Sequence, residues 1–207
     1  MRWVLAMLLL AGCLAGCKAP PKPAPPPPAG ALRGPFAMTY YWMSFPPPAG
    51  AANTKLYARD CSVLATVPAA YAKEMTESGN GRLEDGRTLV VAGDCACARS
   101  PCFRDESVNP WGTGAAGRGL VPFRSVAVDR NVVPLGTKLW IEELDGVAFP
   151  DAALALHDGC VIADDTGGKI KGDKLDFFVG DEASYRDLDR VLELERVTVH
   201  DGGARCP

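Results

Sequence analysis

The stretch Ala163–Gly180 reads ADDTGGKIKGDKLDFFVG, and Asp164, Asp165, Asp173 and Asp176 all fall inside it. Crowded carboxylates repel, so stability alone gives no reason for this density. The run CVIADD (Cys160–Asp165) and the run KLDFFVG (Lys174–Gly180) each read as a short strand bounded by turn residues. A glycine-rich turn between them folds Asp165 back towards Asp176. Asp129 ends a third strand, RSVAVD (Arg124–Asp129), so three aspartates are expected to converge at one rim. Close carboxylates push at least one pKa upward, which suits a proton donor working near neutral pH. Asp164 and Asp173 are expected to be turn residues that face solvent. Asp165-Thr166-Gly167 is also the aspartic-protease triplet, but that chemistry needs two facing triplets, which this chain would reach only as a homodimer.

Working outward, further short strands are predicted at Phe36–Ser44, Arg87–Gly93, Lys138–Leu144 and Glu195–Asp201. A helix should begin near Pro68 and stop before Gly79, and another should follow the Asp181 cap. Between the Arg87 and Arg124 strands lies the glycine-rich stretch NPWGTGAAGRGLVPF. Many short strands with few helices predict a mainly β chain: a closed β-barrel with one or two short helices.

The two segments SVAVDRNVVPLGTKLWI (Ser125–Ile141) and ADDTGGKIKGDKLDFFVG together resemble the three-aspartate (3D) domain. That domain occurs in membrane-bound lytic transglycosylases of the A family and in related muralytic proteins. The pattern is Ala-Val-Asp, Pro-Leu-Gly-Thr, Asp-Thr-Gly-Gly-x-Ile-Lys-Gly, then Asp before an aromatic. It is present in order over Arg124–Gly180, and AMTYYW (Ala37–Trp42) is similar to the family's first strand. The resemblance implies a six-stranded double-psi β-barrel. It makes Asp129, Asp165 and Asp176 the three aspartates, with Asp176 as catalytic acid and the others supporting it. Lys171 would hold its turn or touch substrate, and Thr166 and Gly167 would lie against substrate. The implied reaction is cleavage of the β-1,4 bond between N-acetylmuramic acid and N-acetylglucosamine in peptidoglycan, without metal or cofactor. Sugars stack on aromatic faces, and Tyr40, Tyr41, Trp42, Trp111 and Trp140 are the aromatic candidates, with the glycine-rich stretch around Trp111 as the expected groove lip. A carbohydrate-binding barrel without catalysis, like expansins and barwins, is the alternative. Family members close their groove with a second domain, for which this chain has no evident room. The segment Cys61–Pro122 is expected to supply that wall instead.

The N-terminus, MRWVLAMLLLAGCLAGC, has one basic residue, an apolar run and small residues, as a secretory signal does. Leu-Ala-Gly-Cys occurs there twice, ending at Cys13 and at Cys17, and resembles a lipoprotein lipobox. Residues 1–16 are thus expected to be the signal. Cys17 is the favoured lipidated residue, and residues 17–30 would form a proline-rich tether. Residues 31–207 would be one barrel domain. The expected setting is the outer membrane, facing the periplasm, as a lipid-anchored monomer acting on glycan strands. The chain carries 22 basic against 25 acidic residues and shows no basic stripe, which excludes nucleic acid as a partner. Beyond the signal stand Cys61, Cys95, Cys97, Cys102, Cys160 and Cys206. An even set in an exported chain predicts disulfides, with the pairing left open. CACARSPC (Cys95–Cys102) also has the look of a zinc site, but an oxidising compartment favours disulfides over metal. His157 is read as structural.

Overall fold

The structure is a computed structural model that describes residues 28–47, 50–149, 156–190, 192 and 194–207. The predicted signal, the lipobox cysteines and most of the tether lie outside the described residues. In chain order the elements are β1 (Leu32–Tyr41), β2 (Thr54–Tyr57), β3 (Val63–Val67), α1 (Ala69–Ser78), β4 (Asn80–Arg82), β5 (Thr88–Gly93) and β6 (Cys102–Asp105). They continue with β7 (Ser125–Val128), β8 (Lys138–Ala148), β9 (Leu156–Asp165), β10 (Lys174–Phe178), α2 (Glu182–Asp189) and β11 (Arg196–Asp201).

Six strands close into a barrel in the order β1-β10-β7-β9-β8-β11. β1 pairs with β10, and β7 with β9, in parallel, while the remaining neighbours are antiparallel. Parallel neighbours cannot be joined by a hairpin, so the chain must leave the barrel wall between β1 and β10. This is the double-psi barrel that the aspartate-rich segments led us to expect. Its core follows from period-2 alternation. Phe36 and Met38 on β1, Val126 and Val128 on β7, Leu175 and Phe177 on β10, and Val197 and Val199 on β11 are all buried in one cluster. The residues between them in sequence face outward.

The long excursion between β1 and β7 folds into a unit of its own. β2 and β3 form a ribbon, β4-β5-β6 form a three-stranded sheet, and α1 packs on both. Leu56, Tyr71, Met75, Leu89 and Phe103 are the largest members of a separate buried cluster there. The strand predicted at Arg87–Gly93 is β5 and belongs to this unit rather than to the barrel. The segment between β1 and β7 thus has sheets and a buried cluster of its own beside the barrel. A stretch poor in long periodic segments still buries a core, because disulfides Cys61–Cys97 and Cys95–Cys102 clamp its loops. The third disulfide, Cys160–Cys206, ties β9 to the end of the chain beyond β11.

The helices start as their caps dictate. α1 begins after Pro68 and ends at Gly79, whose φ of 82° is the left-handed conformation that closes a helix. At α2 the Asp181 carboxylate accepts the Ser184 N–H. Among the described residues no helix is long and apolar enough to cross a membrane.

Candidate active site

The outward-facing residues of four neighbouring barrel strands make a single row. Thr39 on β1 lies opposite Asp176 on β10, Asp176 lies opposite Ala127 on β7, and Ala127 lies opposite Asp165 at the end of β9. With strands about 4.8 Å apart, the Cα atoms of the two aspartates stand roughly 10 Å apart across Ala127. Alanine keeps the space between the two carboxylates clear.

Asp165 reaches this row only because β9 departs from regular alternation. Strict alternation would point Asp165 the same way as Val161 and Ala163, into the barrel core. Between Val126 and Ala127 the β7–β9 register slips by one residue: Val126 faces Ala163, but Ala127 faces Asp165. Such a bulge re-aims side chains. It turns Asp165 outward to Ala127, while Asp164 turns to Ser125 further along β7.

Asp164 is consequently not the solvent-facing turn residue expected from the sequence, and this reading is corrected. It is only 4% exposed. It accepts hydrogen bonds from Ser125 Oγ at 2.8 Å and from Arg118 Nε at 2.8 Å, with Arg118 Nη2 also bound to it. The buried carboxylate is tolerated because a guanidinium and a hydroxyl take up its oxygens. Arg118 comes from the loop that closes the inserted unit, so this ion pair fastens that unit to the barrel. The same loop donates Ala115 N–H to Asp165 Oδ1 at 2.9 Å and Ala116 N–H to the Asp164 carbonyl. Gly114 permits the approach, since a Cβ there would stand 2.5 Å from the Asp164 carbonyl oxygen.

The two outward carboxylates are held differently. Asp165 accepts from Ala115 N–H and Thr166 N–H, each at 2.9 Å, and from the Tyr41 hydroxyl at 3.3 Å. Asp176 accepts from Thr39 Oγ1 at 2.6 Å. That is its only side-chain hydrogen bond among the described residues. Burial pushes both carboxyls above the ordinary aspartate range, and hydrogen bonds oppose the rise. Three donors favour the ionised form of Asp165 far more than one donor favours that of Asp176. At Asp176 the charge of Lys174 also opposes the rise. Burial, then the charges of Asp165 and Asp176, hold the Tyr41 hydroxyl well above its usual pKa, so it stays a donor.

Both carboxylates line a groove of about 410 Å³. Its floor is the barrel row with Tyr41, Thr166 and Gly167. Its facing wall is the inserted unit, through Thr76, Asn80, Val90, Arg104 and Leu120 among others. The segment Cys61–Pro122 thus supplies a wall, as expected.

The other candidates are placed elsewhere. Asp129 accepts the N–H groups of Asn131 and Gly172, each at 3.0 Å. Those bonds, with Lys171 nearby, hold its carboxyl below the usual range. It braces the turn before β10 and does not line the groove. Lys171 is exposed on that turn. Tyr40 packs against Tyr185 at 5.5 Å and Phe177 at 6.3 Å on the far side of β1. Trp111 packs edge-on against Phe178 at 6.0 Å and Phe45 at 6.5 Å and is not among the residues that line the groove. Cys95, Cys97 and Cys102 lie together, but all three sulfurs are taken up in disulfides. His157 is buried, with Nε2 2.7 Å from the Phe123 carbonyl and Nδ1 accepting Gly159 N–H. Sequence reasoning missed Thr39, and it offered Tyr41 only as an aromatic that could stack on sugar, not as a carboxylate partner. Their signal was their spacing, two apart on a strand, beside a carboxylate partner each.

Residues 124–188 match the family model of the 3D domain. No curated protein sequence matches the chain. Among solved structures, the chain is similar to Escherichia coli MltA with bound chitohexaose, at 20% identity and a TM-score of 0.57. That match covers 81% of this chain and 71% of the other, more than the barrel alone provides. A membrane-bound lytic murein transglycosylase from Agrobacterium tumefaciens is also similar, at 14% identity and a TM-score of 0.50. It is covered over 73% of its length by 81% of this chain. At such identities the likeness is one of fold, and it takes in the inserted unit as well as the barrel.

Proposed function

We propose that this chain is a peptidoglycan lytic transglycosylase with Asp176 as its single acid and base. The observation that carries the reading is the unequal pair in the groove: Asp176 with one hydrogen bond, Asp165 with three, set in one row across Ala127. The match to the 3D domain and the fold shared with a chitohexaose-bound protein support a glycan in that groove.

An ordinary glycosidase needs two working carboxylates, because it must handle a water or a covalent intermediate. A transglycosylase uses the substrate's own C6 hydroxyl, so one carboxyl serves twice. Protonated Asp176 gives its proton to the leaving glycosidic oxygen as the C1–O bond breaks. The resulting carboxylate accepts the C6 hydroxyl proton as O6 bonds to C1, and a 1,6-anhydro end results. The charge on Asp165 stabilises the positive charge that develops at C1 and keeps the Asp176 proton in place before reaction. Thr39 orients Asp176, and Tyr41 orients Asp165. Asp129 acts at a distance, by fixing the turn that leads into β10. The lipobox-like cysteines support export to the cell envelope, with anchoring through Cys17 and the tether spanning to the wall.

The test is mass spectrometry of the muropeptides released from peptidoglycan by the purified protein. Anhydro ends from the wild type and none from Asp176→Asn support the assignment. Hydrated ends mean a hydrolase with Asp165 as its second carboxylate. Sedimentation with the wall and no release means a binding barrel.

A further inference from the structure

Asn80 stands in the groove wall opposite the aspartates, at the start of β4 and just after the α1 cap. It is 4% exposed. Its Oδ1 is buried without a hydrogen-bond partner among the described residues. A buried amide left unpaired costs about 1–3 kcal/mol, and native folds rarely keep one without a use. The surroundings say what would pair with it. Val90, which lies opposite Asn80 in the β4–β5 pairing, Val91 and Leu120 line the same groove. One amide beside a small apolar wall is the complement of an acetamido group: the carboxamide meets the substrate amide, and the valines take its methyl. Glycan hydroxyls alone would give the apolar wall nothing to cover.

We infer that Asn80, with Val90 and Leu120, reads the N-acetyl group of a sugar held in the groove. It is a specificity residue, distant in sequence from the aspartates. The inference rests on the glycan-cleaving reading and goes beyond it by naming the substituent recognised.

The test is calorimetric binding of chitohexaose and of its fully de-N-acetylated counterpart, by the wild type, Asn80→Ala and Asn80→Leu. The leucine variant keeps the side-chain volume and removes the amide. The two ligands differ in charge, but that difference is common to all three proteins and cancels when the preferences are compared. The preference for the acetylated ligand should fall about tenfold in both variants, with melting temperatures no lower than the wild type's. An unchanged preference in a folded variant overturns the inference, as does a wild type that prefers neither ligand after the charge effect is matched with salt. A variant that melts well below the wild type also overturns it, because the side chain would then be a structural part. The two readings fail differently. Wild-type muropeptide release without acetyl preference sinks only this inference, whereas acetyl preference without release sinks only the transglycosylase reading.

Discussion

The barrel and the inserted unit meet across one groove, yet they are held by different means. The barrel closes on itself, so every strand has two neighbours, and its core is a continuous cluster of alternating side chains. The inserted unit has two small open sheets, one helix and a smaller core, and two of the three disulfides sit in it. The barrel carries one disulfide, Cys160–Cys206, which ties down the chain's end, whereas the small core of the insertion relies on two. The carboxylates sit on the self-sufficient partner. The wall that faces them sits on the clamped one. The difference teaches that catalytic geometry and groove closure are separable in this fold, and four predictions press on that.

The largest effect is expected on the barrel side. Asp176→Asn should lower anhydro-muropeptide release by about 10²–10⁴-fold, the usual span for losing a general acid, while glycan binding persists. Asp129→Asn, which alters a brace rather than the groove, should cost far less. Equal losses in release assays would mean that the three aspartates act as one unit.

Next comes the clamp. Replacing Cys61 and Cys97 together should destabilise the inserted unit by roughly 2–4 kcal/mol. Hydrogen exchange should then show α1 and β5 losing protection while β7 and β10 keep theirs. Simultaneous loss in all four elements would show that barrel and insertion fold as one cooperative body.

The seam between them is the third target. Arg118→Ala leaves the buried Asp164 carboxylate with Ser125 alone and should cost roughly 2 kcal/mol, since half of the guanidinium is already in water. Asp164→Asn in the same chain should return part of that loss in chemical denaturation. If the double variant is no better than the single one, the ion pair is not what fastens the seam.

The smallest effect concerns pH. Burial holds the Asp176 carboxyl above its unfolded value. Its stabilising share is full below the ordinary carboxylate range and is lost as pH rises through the folded pKa. Asp176→Asn, which keeps an acceptor for Thr39, should therefore melt above the wild type near neutral pH, by about 2–4 °C for each kcal/mol recovered. The gap should close in acid. A variant that melts lower at neutral pH would contradict the raised pKa. Activity should follow a bell. It falls at high pH as Asp176 loses its proton, and at low pH as Asp165 gains one.

Much of the barrel was legible because its strands carry the alternation of one buried and one outer face. Phe36, Met38, Leu175 and Phe177 show it plainly. The caps of both helices were legible for the same local reason: Pro68, Gly79 and Asp181 act within a few residues of themselves. β2, β3, β4 and β6 were not found, since three to five residues with partners far along the chain leave no period to detect. Trp111 looked like a groove lip from its glycine-rich setting, but an aromatic ring goes where apolar surface is offered, and Phe178 offers it.

What the sequence determined by itself was the class of the fold and the presence of a carboxylate site. Strand periodicity and the Asp-Thr-Gly-Gly turn are local properties, written in consecutive residues. Which aspartates share the groove was decided by tertiary structure. Asp164 and Asp165 are neighbours with the same side chain, yet a one-residue slip against β7 sends one into a buried ion pair and the other to the row beside Asp176. A register shift depends on the partner strand, and β7 pairs with β9 across 37 to 38 residues of chain, as in Val126 with Ala163 and Ala127 with Asp165. Asn80 belongs to the same category. Nothing in Ser-Gly-Asn-Gly marks it, and only the folded wall shows its amide oxygen buried, unpaired among the described residues and set across from two carboxylates.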